Sequence, residues 1–374
     1  MSAAVRITLF DTVSSGHHPS WVPAVAGALR PRAEVTLCVP ERLEELAGGL
    51  DGEVVHVPEA PGASGELDVF GEMIERTRPD HMVHLYGIKA TLREWLRRPA
   101  FGVPCTVSVN HPAALHYPGR YGTRLTPAQW ANALYKEQLV ARWRRRRDAH
   151  AVLTMEEAAV ERWARRRGAA PYYLPEPPVV APAAALAPRE RDGVMVYGAL
   201  RPPKGVHLLA DALSLEPTTV RLVLAGPVET GYEDTLERSV AAMRAAGVRV
   251  ELDARFVEID EVLVRLAGVR VLAMPYVRQP GTSRTLVEAA AVGTPVVAHD
   301  YGLLAHLVRR HGLGLVVDAS DPRALRRAVL ELAEDPGAPA RYAEPLRAFA
   351  ELHSEARFRE RIGAPFGLDG APAG

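Results

Sequence analysis

Short runs of β-branched and other apolar residues alternate with amphipathic stretches along almost the whole chain. In the first half the apolar runs fall at residues 5–10, 35–39, 54–57, 82–85, 106–109 and 152–154. Apolar runs of this length, separated by helical periodicity, predict a parallel sheet covered on both faces. At residues 172–182 the alternation stops in YYLPEPPVVAP. Its prolines forbid helix and central-strand pairing, so it reads as a stiff linker with the domain boundary near Pro175. The alternation restarts at residues 194–197, 221–225, 248–252, 269–274, 295–298 and 314–317. Gly293 stands where a helix C-cap is expected, and Asp321-Pro322 opens the helix that follows.

The fold class expected is therefore α/β, with two doubly wound parallel-sheet (Rossmann-like) domains at residues 1–177 and 190–345. Ligands in such sheets bind outside the carboxyl ends of the strands, so the site is expected in a cleft between the domains. A last amphipathic helix, residues 346–362, is expected to pack back on the first domain. The Gly/Ala/Pro-rich tail 363–374 is expected to fray and carries no function.

Composition narrows the partners. The 374 residues hold 45 Lys+Arg against 45 Asp+Glu, which leaves a net charge of zero and no global field to recruit nucleic acid. With 48% hydrophobic residues the chain is globular. Both cysteines, Cys38 and Cys105, lie in apolar runs and read as small core residues in a reducing compartment. No stretch reaches the roughly 18 residues of a membrane span, and no basic segment with an apolar signal core opens the chain, so a cytoplasmic location is expected.

Two segments carry candidate chemistry. GALRPPKGVHLLADAL, residues 198–213, runs from a strand into a loop bearing Arg201 and Lys204 and then into a helix. Two fixed cations suit a diphosphate, Gly198 and Gly205 allow close backbone approach, and the helix N-terminus favours an anion. The same loop also reads as a solvated basic turn. In QPGTSRTLVEAAAVGTPVV, residues 279–297, Gly281, Thr282 and Ser283 precede a helix starting near Thr285. Its free amides suit phosphate oxygens, and Glu288 suits a ribose diol. Thr285 and Glu288 equally fit a capping box.

The segments G-x-x-R-P-x-K-G at residues 198–205, the strand with Gly226, and T-L-V-E-A-A-A-x-G-x-P-V-V at residues 285–297 resemble the donor-binding half of family 4 glycosyltransferases of the GT-B fold. The first half resembles that family through the Gly16 loop, SVNH ending at His111, and AVLTMEEAA from Ala151. The resemblance implies a nucleotide-sugar donor as co-substrate, a small-molecule or saccharide acceptor, retention of configuration, no cofactor and no metal. It implies that Arg201 and Lys204 neutralise the leaving diphosphate. Gly198, Gly281, Thr282, Ser283, Thr285 and Leu286 would surround the phosphates, and Glu288 would hold the ribose. His111 would stand near the reacting sugar, with Gly16, His17 and His18 at the acceptor mouth. Two positions depart from the family pattern: Pro280 occupies the place of the first motif Glu, and Ala199 that of an Arg. They motivate a rival, a catalytically silent sugar-nucleotide binder or partner subunit. An epimerase-like enzyme of the same fold is a further rival, weakened by the lack of a clear carboxylate base.

The basic run Arg142, Arg144, Arg145, Arg146 and Arg147 ends an amphipathic helix. It reads as a solvated helix terminus favoured by the helix dipole, in preference to an anionic bilayer contact. His81, His84 and His150 read as packed or solvated residues.

Overall fold

The computed structural model describes residues 4–15, 18–109, 127–277 and 281–368. These residues divide into two compact units, 4–178 with 354–368, and 179–353. Gly16, His17, His111 and Pro280 lie outside the described residues.

The first unit holds seven parallel strands: β1 (Val5–Phe10), β2 (Ala33–Val39), β3 (Glu53–His56), β4 (His81–His84), β5 (Cys105–Ser108), β6 (Ala149–Thr154) and β7 (Ala170–Tyr173). Their order is β3-β2-β1-β4-β5-β6-β7. Side chains alternate across a strand, so β1 feeds both faces of the sheet. Ile7 and Leu9 join Trp21, Val25 and Leu29 on one side, while Phe10 joins Phe70, Trp95 and Trp143 on the other. Both faces are dry, which explains why β1 reads as a continuous apolar run. Cys38 and Cys105 are free and buried in this core, and burial pushes the Cys38 thiol up to about 12.

Strand β7 takes up the start of the expected linker, because Tyr172 and Tyr173 pair with Leu153 and Thr154 at the sheet edge. Pro171 is tolerated there, since an edge strand has one side free of ladder hydrogen bonds.

The second unit holds β8 (Val194–Tyr197), β9 (Arg221–Ala225), β10 (Arg249–Asp253), β11 (Val271–Met274), β12 (Val296–His299) and β13 (Gly314–Val317), in the order β10-β9-β8-β11-β12-β13. Its core collects Val194, Val196, Leu222, Leu224, Val271 and Ala273 from the strands and Leu209, Leu213, Leu325 and Val329 from covering helices.

The single terminal helix expected at 346–362 is instead two, Ala343–Leu352 and Glu355–Gly363. The Ser354 hydroxyl caps the second by accepting from the Arg357 amide at 3.4 Å. The first packs against the helices Arg284–Ala291 and Gly302–His311 of the second unit, and the second against the helix His18–Leu29 of the first. Phe358, Ile362 and Phe366 enter the core of the first unit. Each such burial is worth about 1.5–3 kcal/mol. Among the described residues no helix is long and apolar enough to cross a membrane.

The basic run is not a uniformly solvated terminus. Arg144 is buried and donates to the carbonyls of Ala169, Trp163 and Arg166. Arg146 binds the carbonyls of Trp95, Arg98 and Pro99 and pairs with Asp148 at 2.8 Å. Orphan helix-end carbonyls need donors, and the guanidinium fork supplies several at once.

Candidate functional site

In the second sheet the strand order reverses between β8 and β11, the place where open α/β sheets bind ligands. The loops leaving these two strands are tied together. The Val277 amide donates to the Pro203 carbonyl at 2.8 Å, and a Cβ on Gly205 would stand 2.1 Å from the Pro275 carbonyl oxygen. Gly205 has φ +70°, so it meets both a conformational and a steric requirement. It also ends the 3₁₀ turn Pro202–Lys204 and starts the helix Val206–Leu213.

This turn carries Lys204 inward. The residue is buried, its Nζ donates to Tyr276 Oη at 2.9 Å, and the same ammonium stands 4.1 Å from the Tyr276 ring centroid. A Cβ on Gly198, at φ +104°, would lie 3.0 Å from Nζ. Glycine therefore leaves the backbone after β8 open beside a fixed cation. Arg201 behaves differently. It is exposed at the start of the turn, where its carbonyl accepts from the Lys204 amide at 2.9 Å, and its guanidinium makes no hydrogen bond or ion pair among the described residues.

Glu288 lies in the second turn of the helix Arg284–Ala291. It is only 3% exposed, with Oε1 standing 3.3 Å from Arg284 Nε, while Oε2 is buried with no hydrogen-bond partner among the described residues. Burial raises its carboxyl above the ordinary carboxylate value, and the charges of Arg284 and Lys204 only partly offset this. Tyr197, at the end of β8, has its phenol raised by burial and then by the neighbouring charges of Glu288 and Tyr276. Lys204, Tyr276, Glu288, Arg284 and Tyr197 thus form one electrostatic cluster at the switch point.

The capping box suggested for Thr285 and Glu288 is not formed. Ser283 is the N-cap residue, its side chain makes no capping hydrogen bond among the described residues, and Glu288 turns to Arg284 instead. Thr285 and Ser283 are buried, and Thr282 is half-buried. The Leu286 amide donates to the Ser283 carbonyl at 2.8 Å, so it is not a free donor for phosphate. The Leu286 side chain is fully buried. Among the described residues nothing stands within 4 Å of a Cβ position on Gly281, so no steric demand for glycine is seen there.

The first sheet reverses between β1 and β4. Here His18 is the first residue of a helix, His18–Leu29, and is not a loop residue. Its Nδ1 lies 2.7 Å from Asp11 Oδ2, both side chains are buried, and its ring packs edge-on to Tyr86 at 4.8 Å. Asp11 follows β1 and Tyr86 follows β4. Beneath them Glu66 accepts hydrogen bonds from Thr12 at 2.9 Å and Thr91 at 2.6 Å, with His84 Nε2 3.3 Å away. Burial alone would raise Glu66, but His84, Thr91 and Thr12 together hold it below its ordinary value.

Tyr276, Tyr197, Arg284, Asp11 and Tyr86 escaped the sequence reading. Asp11, Tyr86 and Tyr276 stand just past an apolar run and Tyr197 ends one, a signal that becomes specific only once the strand order is known, while Arg284 has no such signal.

Residues 191–335 match the family model described as glycosyl transferases group 1. That stretch contains the Lys204–Tyr276–Glu288 cluster. Over 144 residues the chain is 30% identical to the D-rhamnosyltransferase WbpZ of Pseudomonas aeruginosa, a match that covers 38% of this chain and 36% of that protein. Over 191 residues it is 33% identical to a D-inositol 3-phosphate glycosyltransferase of Xylanimonas cellulosilytica, covering 46% and 43%. The chain thus spans less than half the length of these curated relatives. Anabaena HepE, solved in complex with UDP and glucose, superposes with a TM-score of 0.68 at 18% identity, over 97% of this chain and 99% of that one. At that identity the likeness establishes the fold, the GT-B type with two Rossmann-like units.

Proposed function

We propose that the protein is a glycosyltransferase that takes a sugar from a nucleoside-diphosphate donor held in the second unit and passes it to an acceptor held in the first, with retention of configuration. The observation that carries this reading is Glu288 Oε2, a desolvated carboxylate oxygen at the switch point that has no hydrogen-bond partner among the described residues. A buried acceptor left unpaired is costly, and a ribose diol supplies the donors that would satisfy it. The group 1 match over this same stretch supports the reading, as do the names of the curated relatives.

In the proposed reaction the glycosidic bond to the diphosphate breaks, the anomeric carbon bonds to the acceptor oxygen on the same face, and the acceptor proton passes to the leaving phosphate or to His111. The departing diphosphate gains negative charge as its bond breaks. A fixed ammonium at Lys204 therefore binds the transition state better than the ground state, and Arg201 adds a second cation from the surface. No step in this scheme calls for a metal.

Incubation with a panel of nucleotide-sugars tests the proposal: nucleoside diphosphate should be released slowly alone and faster with an acceptor. Binding without release under all acceptors would instead favour a silent sugar-nucleotide binder, the reading that Pro280 motivates. His111→Ala should lower turnover far more than donor binding, and unchanged turnover would remove His111 from the mechanism.

A further inference from the structure

The first unit contains a cavity of about 390 Å³ that the donor chemistry does not use. It opens where β4, β5 and β6 end: Gly87 and Ile88 follow β4, Val109 follows β5, and Glu156 follows β6. Its other walls come from the helices Lys89–Trp95, Pro127–Trp143 and Glu157–Ala164. The volume falls in the ~300–1,000 Å³ range of pockets that enclose small molecules, and the carboxyl end of a parallel sheet is where such pockets work.

The chemistry of the wall selects its occupant. Ile88, Leu92, Val109, Leu139, Val140 and Trp163 give it a broad apolar surface. A saccharide buried there would leave most of its hydroxyls without partners, at a cost of roughly 1–3 kcal/mol each. The polar groups are few and mostly engaged. Glu137 accepts from Trp163 Nε1 at 3.2 Å, and Lys89 donates to Asn132 Oδ1 at 3.0 Å. Lys136 is the exception. It is half-buried, it lines the cavity, and among the described residues its ammonium makes no hydrogen bond or ion pair. Burial and Lys89 both weaken its hold on the proton, while Glu156 opposes them. An oxygen brought to this ammonium would relieve its desolvation.

Gly87 connects the cavity to the first-unit switch point. It follows Tyr86, the partner of the His18 ring, and its amide donates to the Ser108 carbonyl at 2.8 Å. A Cβ on it would lie 2.3 Å from Val107 Cγ2, so a side chain could not be added without displacing the Val107 side chain.

We infer that this cavity holds the body of the acceptor, and that the acceptor is an apolar, ring-sized molecule with one carboxylate or carbonyl oxygen directed at Lys136, not a free sugar. This rests on the transferase reading for the word acceptor, whereas the binding site itself does not.

The test is calorimetric titration of the full chain with 2-naphthoate, with glucose as the saccharide comparison and a nucleoside diphosphate titrated separately. Naphthoate should bind and glucose should not. Val140→Phe, which fills the cavity, should weaken naphthoate at least tenfold. Lys136→Met, at a half-exposed position that tolerates change, should weaken it about three- to tenfold and keeps the test alive if the first variant does not fold. Both variants should bind the nucleoside diphosphate as the unaltered chain does. Absence of naphthoate binding by a chain that still binds nucleotide would overturn the inference, as would equal binding by all three proteins. A chain that binds naphthoate but no nucleotide would sink the donor reading and leave the cavity assignment standing.

Discussion

Lys204 Nζ and Tyr276 Oη stand 2.9 Å apart although they leave different strands, β8 and β11, 72 positions apart in sequence. The contact joins the two loops at the point where strand order reverses, and it holds a buried ammonium in one orientation. Removing the charge and removing only its anchor should have different consequences. Lys204→Met should weaken nucleoside diphosphate binding about 10–100-fold, the equivalent of a charge-assisted hydrogen bond of ~1.5–3 kcal/mol. Tyr276→Phe keeps the ring under the ammonium and should cost only a fewfold. Titration calorimetry on both variants checks this, and equal losses would mean that the phenol itself touches the ligand.

Glu288 should behave as a residue kept for binding at the expense of stability. Its carboxyl is raised in the folded chain, so the folded state holds the proton more tightly than the unfolded one. Stability is then lost as pH rises from the ordinary value near 4.5 through the folded value. Glu288→Gln should raise the melting temperature at pH 7, with the gain vanishing near pH 4. The same variant should lose most nucleotide binding, since an amide is a poorer acceptor for a diol. A melting temperature that falls at pH 7 would contradict the first expectation.

Glu66 should show the opposite sign. Its carboxyl is held low by His84, Thr91 and Thr12, so it stabilises above its ordinary value near 4.5, and that contribution disappears as pH falls through the lower folded value. Glu66→Gln should destabilise by about 1–3 kcal/mol at pH 7, because Thr12 and Thr91 lose a shared charged acceptor. Denaturant titrations at pH 7 and pH 3 should show the gap closing at the lower pH. A gap that stays constant would show that the carboxyl titrates alike in the folded and unfolded chains, so that its three partners do not hold it low.

Gly205 and Gly281 flank the same site but should respond differently to alanine. At Gly205 the φ of +70° and the Pro275 carbonyl 2.1 Å from the Cβ position leave no room. Gly205→Ala should therefore cost at least ~2 kcal/mol, or about 4–8 °C in the melting transition. Gly281 has nothing within 4 Å of its Cβ position among the described residues. Gly281→Ala should stay within ~0.5 kcal/mol.

Much of this architecture is legible along the chain. All six apolar runs of each half correspond to strands, within a few residues at their ends, because strands buried on both faces carry little else. Strand β7 was hidden by its own composition, since an edge strand with a proline and two tyrosines looks like the linker that follows it. The break at His353-Ser354 is not legible because both flanking helices are amphipathic, and the sequence does not say that they belong to different units.

Residue chemistry made Lys204, Arg201 and Glu288 candidates, as two cations in a glycine-bounded turn and a carboxylate early in a helix, yet equally allowed a solvated turn and a capping box, and the resemblance to family 4 glycosyltransferases singled them out. Tertiary structure decided which of them meet. Lys204 is buried against Tyr276 and within electrostatic reach of Glu288, while Arg201 stays at the surface. The reason is that local pattern follows from side-chain periodicity, which short windows contain. Proximity across the switch point depends instead on the order in which strands assemble, and no short window carries that.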